Sequence, residues 1–148
     1  MIMNKDTVVV DANIAIKVLH SEPDTAQARA FFTFCVQHKV SILVPEHFLY
    51  EVVNVCQRLN IDVTEVLEFY NALSSLILRT VKPSKKVWLQ AEHIARTGHP
   101  SSGFPSIYDS IYQAIALDVD GVFLTADHRH AAKARQHGGI MLLSEWSE

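Results

Sequence analysis

Hydrophobic positions along the chain follow two rhythms. Unbroken apolar runs at 7–10 (Thr7-Val8-Val9-Val10), 41–44 (Ser41-Ile42-Leu43-Val44), 121–125 (Gly121-Val122-Phe123-Leu124-Thr125) and 140–143 read as short strands covered on both faces, and 78–81 reads as an edge strand. Between them, apolar residues recur at three- and four-residue steps: Ala28, Phe31, Phe32 and Cys35; Val63, Val66, Leu67, Tyr70, Leu73 and Ile77; Trp88, Ala91 and Ile94; Ile107, Ile111 and Ile115. That spacing predicts helices. A helix over 46–59, opened by Pro45 and apolar almost all round, is expected to be buried. Asp24 to Gln27 and Asp62 to Glu65 have the layout of capping boxes, Pro83-Ser84 opens a helix that closes near Gly98, and a last helix spans 127–136. Only 99–105, rich in Gly, Pro and Ser, reads as a clear loop, an excursion within the domain. Strands alternating with helices predict an α/β fold, a central parallel sheet of four to five strands sandwiched between helix layers in three layers, α/β/α.

Length fits one domain over residues 1–148, and 49% hydrophobic against 20% charged residues excludes a disordered chain. A net charge of −3 excludes a whole-molecule positive field, so any contact with nucleic acid must be local. Cys35 and Cys56 lie in apolar helical stretches without the spacing of a zinc or redox pair. A reduced, cytoplasmic protein is the expectation. The opening residues place a Lys5-Asp6 charge pair ahead of the valine run rather than the layout of a signal peptide, and no apolar stretch approaches the ~20 residues that span a bilayer.

In parallel α/β sheets, ligands gather beyond the carboxyl ends of the strands. Four acids are expected there. Asp11 directly follows the first strand and Asp127 follows the 121–125 strand, and each would also serve as a helix N-cap. Asp109 lies in the first turn of a helix that runs into that strand, three residues after Ser106, which is also a capping-box layout. Glu51 shares a helical stripe with Phe48 and Val55, an awkward place for a charge, and needs a cation, a basic partner or a route to solvent. Each acid alone has a local explanation; convergence of all four on one sheet edge does not. Packed carboxylates repel, and an all-oxygen cluster suits Mg²⁺ or Mn²⁺. His128 and His130 alternate around Arg129, do not share a helix face, and are expected in a solvated first turn.

Four segments together resemble the successive motifs of PIN-domain nucleases: Val8-Val9-Val10-Asp11-Ala12-Asn13, the 45–55 stretch with Glu51, Ile107-Tyr108-Asp109-Ser110-Ile111-Tyr112-Gln113-Ala114-Ile115-Ala116, and Phe123-Leu124-Thr125-Ala126-Asp127. The likeness runs nearly the whole chain and is strongest to the VapC toxins of toxin–antitoxin pairs. It implies a PIN-like fold in which Asp11, Glu51, Asp109 and Asp127 bind metal, with Asn13 and Thr125 orienting them. It further implies a Mg²⁺- or Mn²⁺-dependent endoribonuclease that leaves a 5′-phosphate and a 3′-hydroxyl, a cognate antitoxin as partner, and a homodimer joined through helices, with the 63–77 helix one candidate surface. Ser110 departs from the alanine common in relatives, and the 98–105 loop is longer than usual, which bears on substrate access. Candidate contacts to the RNA backbone are Arg129 and Lys133, four apart on one helix, and Lys17. Two other classes remain: a catalytically silent PIN fold serving RNA binding or protein interaction, and a phosphoacceptor or phosphatase domain, for which Asp11-Ala12-Asn13 lacks both the adjacent acid pair and the Asp-x-Asp that such proteins use.

Overall fold

Thr7–Val10 (β1) lies at the centre of a five-stranded, fully parallel sheet. Around it are Ser41–Pro45 (β2), Leu78–Val81 (β3), Val122–Thr125 (β4) and Ile140–Leu142 (β5), in the order β3-β2-β1-β4-β5. Val8, Val9 and Val10 are fully buried, because a central parallel strand is covered on both faces. The computed structural model describes residues 6–148, so the reading of the segment before Asp6 lies outside the described residues.

Between β1 and β2 run Ala12–Leu19 (α1) and Thr25–Gln37 (α2); between β2 and β3, His47–Arg58 (α3) and Val63–Ser74 (α4). Lys85–Thr97 (α5) and Ile107–Asp118 (α6) return the chain to β4, and His128–Ala134 (α7) leads to β5. Right-handed crossovers place α1 to α4 on one face of the sheet and α5 to α7 on the other. Consistent with that, α1 packs on α2 and α3, α3 on α4, and α5 on α6. Strand order reverses at β1, so the topological switch point lies between β1 and β4.

Local chemistry sets the helix ends, with two departures from expectation. Ser84 Oγ accepts from Val87 N, Ser106 Oγ from Asp109 N, and Asp62 Oδ1 from Thr64 N, as N-caps do. The capping box at Asp24 does not form. There Thr25 Oγ1 takes over, accepting from Glu22 N and donating to Lys17 O, while Asp24 pairs with Lys17 at 3.0 Å. Nor is α3 buried all round: it covers Phe48, Val52 and Cys56 and leaves Tyr50 77% exposed. An outer-layer helix has neighbours on one stripe only, and apolar residues on its other faces stay in water.

Gly98 ends α5 at φ +60°, and a Cβ there would come within 2.7 Å of the Phe104 ring. A side chain is therefore excluded twice, by backbone conformation and by space. The loop beyond it is pinned by reciprocal backbone hydrogen bonds of 2.9 Å between His99 and Gly103. Cys35 and Cys56 are both free and buried, and burial pushes the Cys35 thiol up to about 12. No helix of the described residues is long and apolar enough to cross a membrane.

Candidate functional site

The carboxyl edge of the sheet collects the acids. Asp11 follows β1 directly, its backbone N–H donating to Leu124 O of β4 at 3.0 Å. Its side chain, 6% exposed, accepts a 2.7 Å hydrogen bond at Oδ2 from Thr125 Oγ1. Thr125 is fully buried and its hydroxyl is a hub: it also accepts from Asp127 N at 3.0 Å and from Asn13 Nδ2 at 3.4 Å. Asn13 Oδ1 in turn accepts from Ala126 N. One donor and two acceptor sites exhaust a hydroxyl, so Thr125 locks the two strand ends that flank the switch point.

Asp127 Oδ1 accepts from Arg129 N and His130 N, capping α7. The cap fixes one carboxylate oxygen and leaves the other for a ligand. Asp109 is held in the first turn of α6, its N–H donating to Ser106 Oγ. Directly behind it, Ser110 is fully buried and donates to Ser106 O at 2.7 Å, so its hydroxyl is satisfied within the helix.

Glu51, in the second turn of α3, finds no lysine or arginine among the described residues. Tyr112 OH of α6 donates to its Oε1 at 2.9 Å, and His47 Nε2 stands 3.4 Å from the same oxygen. His47 also lies 3.1 Å from Tyr108 O, linking α3 to the start of α6. Tyr112 and His47 are the site residues that the sequence reading missed. His47 carried a legible signal, the four-residue spacing to Glu51 on a helix; Tyr112, fully buried against Phe123, carried none.

Asp11 feels all three of the other acids. Burial raises the Asp11 carboxyl to about 7; the Thr125 hydrogen bond opposes this, and the charges of Asp109, Glu51 and Asp127 add to it. Burial also raises Glu51, against the Tyr112 hydrogen bond and His47, with Asp109 adding to the rise. Tyr112 is raised strongly, by burial first and then by Glu51 and Asp11, and stays a neutral donor. Among the described residues, no three acid, histidine or cysteine side chains already close on one point as a cage would. Asp109, Glu51 and Asp127 each act on the buried Asp11 carboxyl, and a donor set of carboxylate oxygens alone is the kind that suits a hard divalent cation.

His130 corrects an expectation. Its side chain is 2% exposed, edge-on to the Phe123 ring, with both ring nitrogens lacking a hydrogen-bond partner among the described residues. Positions 130, 131 and 134 form the sheet-facing stripe of α7, which leaves 128 and 129 to solvent. Burial lowers the His130 pKa, against the pull of Asp109 and Asp127. Arg129 and Lys133 lie on the same helix, Arg129 two residues past Asp127 and Lys133 in the last turn. Lys17 does not join them. It sits in the last turn of α1, at the end away from Asp11, and pairs with Glu22 and Asp24.

A family model for the PIN domain matches residues 8–136. No curated protein sequence matches. Among solved structures, the fold is shared with VapC20 of Mycobacterium tuberculosis, described as a sarcin-ricin loop cleaving toxin, at 13% identity and TM-score 0.64, covering 84% of this chain and 93% of that one. A toxin–antitoxin complex from Klebsiella pneumoniae matches at 14% identity and TM-score 0.66, over 92% and 97%. VapBC2 of Rickettsia felis, bound to a DNA fragment from its promoter, matches at 13% identity and TM-score 0.65, over 92% and 96%.

Proposed function

Because the chain belongs to the PIN domain family, we propose that it is a metal-dependent endoribonuclease acting at Asp11, Glu51, Asp109 and Asp127, and the toxin of a toxin–antitoxin pair. The observation that carries this reading is the convergence of four carboxylates from four elements on the switch point of a parallel sheet, felt electrostatically at Asp11.

In this reading the four acids are metal ligands rather than an acid/base pair. Bound there, Mg²⁺ or Mn²⁺ supplies a water of lowered pKa and neutralises charge on the phosphate. The chain's own residues organise that chemistry. Thr125 fixes the rotamer of Asp11 and, through Asn13 and Asp127 N, the spacing of the two strand ends. Tyr112 holds one oxygen of Glu51 and so directs the other. Arg129 and Lys133 hold the RNA backbone beside the cluster. Hydrolysis adds water across one P–O bond, leaving a 5′-phosphate and a 3′-hydroxyl.

The toxin part of the reading draws on neighbours that are themselves toxins or toxin–antitoxin complexes. By the same likeness, the chain acts in the cytoplasm as a homodimer and is silenced by an antitoxin segment laid across the acidic edge. Incubating the purified protein with structured RNA, with Mn²⁺ or with chelator, and mapping the fragment ends tests the chemistry. Metal-dependent fragments bearing 5′-phosphates are expected, and intact RNA under both conditions overturns it. Growth arrest on expression, relieved by Asp11→Asn, is expected of a toxin and not of a housekeeping nuclease.

A further inference from the structure

Beside the acidic edge, three elements offer aromatic side chains to one small cavity. Tyr50 of α3 is 77% exposed, Tyr108 at the start of α6 is 62% exposed and Trp88 of α5 is 48% exposed. Together with His47, Pro83 and Glu46 they line a pocket of about 240 Å³. Among the described residues four tyrosine, tryptophan or phenylalanine side chains are exposed, and three of them line this pocket; Phe104 lies elsewhere, and Trp146, the other tryptophan, is buried. The pocket is also continuous with the candidate site. His47 is a wall of the one and lies 3.4 Å from Glu51 in the other, its ring packs edge-on to Tyr108 at 5.6 Å, and Tyr108 immediately precedes Asp109.

We infer that this pocket receives one unpaired base of the RNA, stacked among Tyr50, Trp88 and Tyr108, next to the phosphate held at the acids; the inference rests on the nuclease reading above. Two observations and one general rule favour a base over a protein segment. The volume is below the ~300–1,000 Å³ of sites that hold whole small-molecule ligands, and suits a single ring system. Stacking on open aromatic faces is the sequence-tolerant way in which proteins hold single strands. Charge is arranged for a nucleotide. Glu46 on the rim repels a phosphate, so the base enters. Exposed Lys82 immediately precedes Pro83, a wall of the pocket, and follows β3 at the same carboxyl edge as the acids, while exposed Lys85 stands three residues before Trp88 on α5. The backbone of the RNA can therefore run from the acids toward these lysines with one base turned inward. A duplex cannot offer its bases to such a pocket, so the substrate is a loop, bulge or end.

Trp88 provides the test, because it is the exposed tryptophan and reports directly on stacking. Its emission is followed in Asp11→Asn protein, which binds without cutting, during titration with single-stranded oligoadenylate, with the same strand paired to oligouridylate, and with an abasic ribose-phosphate oligomer of equal length. Quenching by the single strand, at least several-fold weaker with duplex and abasic oligomer, is expected. Equal response to all three, or no response, overturns the inference even where the wild type cleaves RNA. In wild-type protein, Tyr50→Ala, checked for an unchanged melting temperature, is expected to raise KM roughly 5- to 100-fold with kcat within about twofold. An unchanged KM overturns the base pocket and leaves the nuclease reading standing; loss of all cleavage by the wild type overturns the nuclease reading, while the Asp11→Asn titration still decides the pocket. A Trp88 signal that follows protein concentration in sedimentation, rather than RNA, assigns the surface to a second copy of the chain and also overturns it.

Discussion

Asp11 serves two opposed demands. Its position at the switch point makes it the centre of the acidic cluster, and its burial makes ionisation costly. The folded carboxyl titrates near 7 against 3.8 for the unfolded chain, so below about pH 4 both states hold the proton. Between the two values the unfolded state releases its proton and the folded state does not; stability therefore falls as pH rises through that window, by an amount on the order of 4 kcal/mol in full. Asp11→Asn removes this loss. In chelator, the variant is expected to melt above the wild type at pH 8, with the gap narrowing toward pH 4; parallel melting curves across that range would show that Asp11 is not opposed by burial and neighbours. His130 makes the complementary case. A buried imidazole with both nitrogens unpaired contributes little but its bulk, so His130→Leu should leave the melting temperature unchanged or raise it. A loss above about 1 kcal/mol would reveal a polar partner.

At the scale of elements, one candidate site residue also holds a helix end. Asp127 caps α7 through Arg129 N and His130 N, a role that asparagine can fill and alanine cannot. Asp127→Asn is expected to keep the melting temperature, and Asp127→Ala to lower stability by about 1 kcal/mol, while both lose cleavage. Equal melting temperatures would remove the cap. This double use explains what was legible in the sequence. The strands and most helices are legible in the sequence because valine runs and three-to-four spacing are local signals. Asp11, Asp109 and Asp127 are legible as acids at a sheet edge, but each also sits where a cap could stand; in the fold only Asp127 caps with its side chain, while Asp11 makes no side-chain cap bond and Asp109 is itself capped by Ser106. The remainder depended on which face a helix turned to its neighbours. Position 130 looked solvated until α7 was seated on the sheet, Asp24 looked like a cap until Lys17 drew it away, and 46–59 looked buried although only one stripe of α3 has company. Glu51, without a lysine or arginine, was the acid that local structure explained least, and its actual partners, Tyr112 and His47, come from packing and from a spacing that went unread.

The molecule as a whole carries a net charge of −3, and the cations proposed above for the RNA backbone are four: Arg129, Lys133, Lys82 and Lys85. On the nuclease reading, affinity for RNA must then come from a handful of phosphate contacts and from shape. For Asp11→Asn protein and single-stranded RNA, the slope of log affinity against log salt is expected to be no steeper than about −3, taking about 0.7 per contact. A markedly steeper slope would point to a basic surface built by assembly with another chain. The central claim, that Asp11, Glu51, Asp109 and Asp127 act as one centre, is tested most directly by the rate of Mn²⁺-dependent RNA cleavage in Asp11→Asn, Glu51→Gln, Asp109→Asn and the Asp11→Asn/Asp109→Asn double variant, each confirmed folded by melting. A single centre predicts that every variant loses at least about 100-fold and that the double variant is little worse than either single, since residues acting as a unit are strongly non-additive; cleavage by Asp11→Asn and Asp109→Asn at the wild-type rate would contradict it.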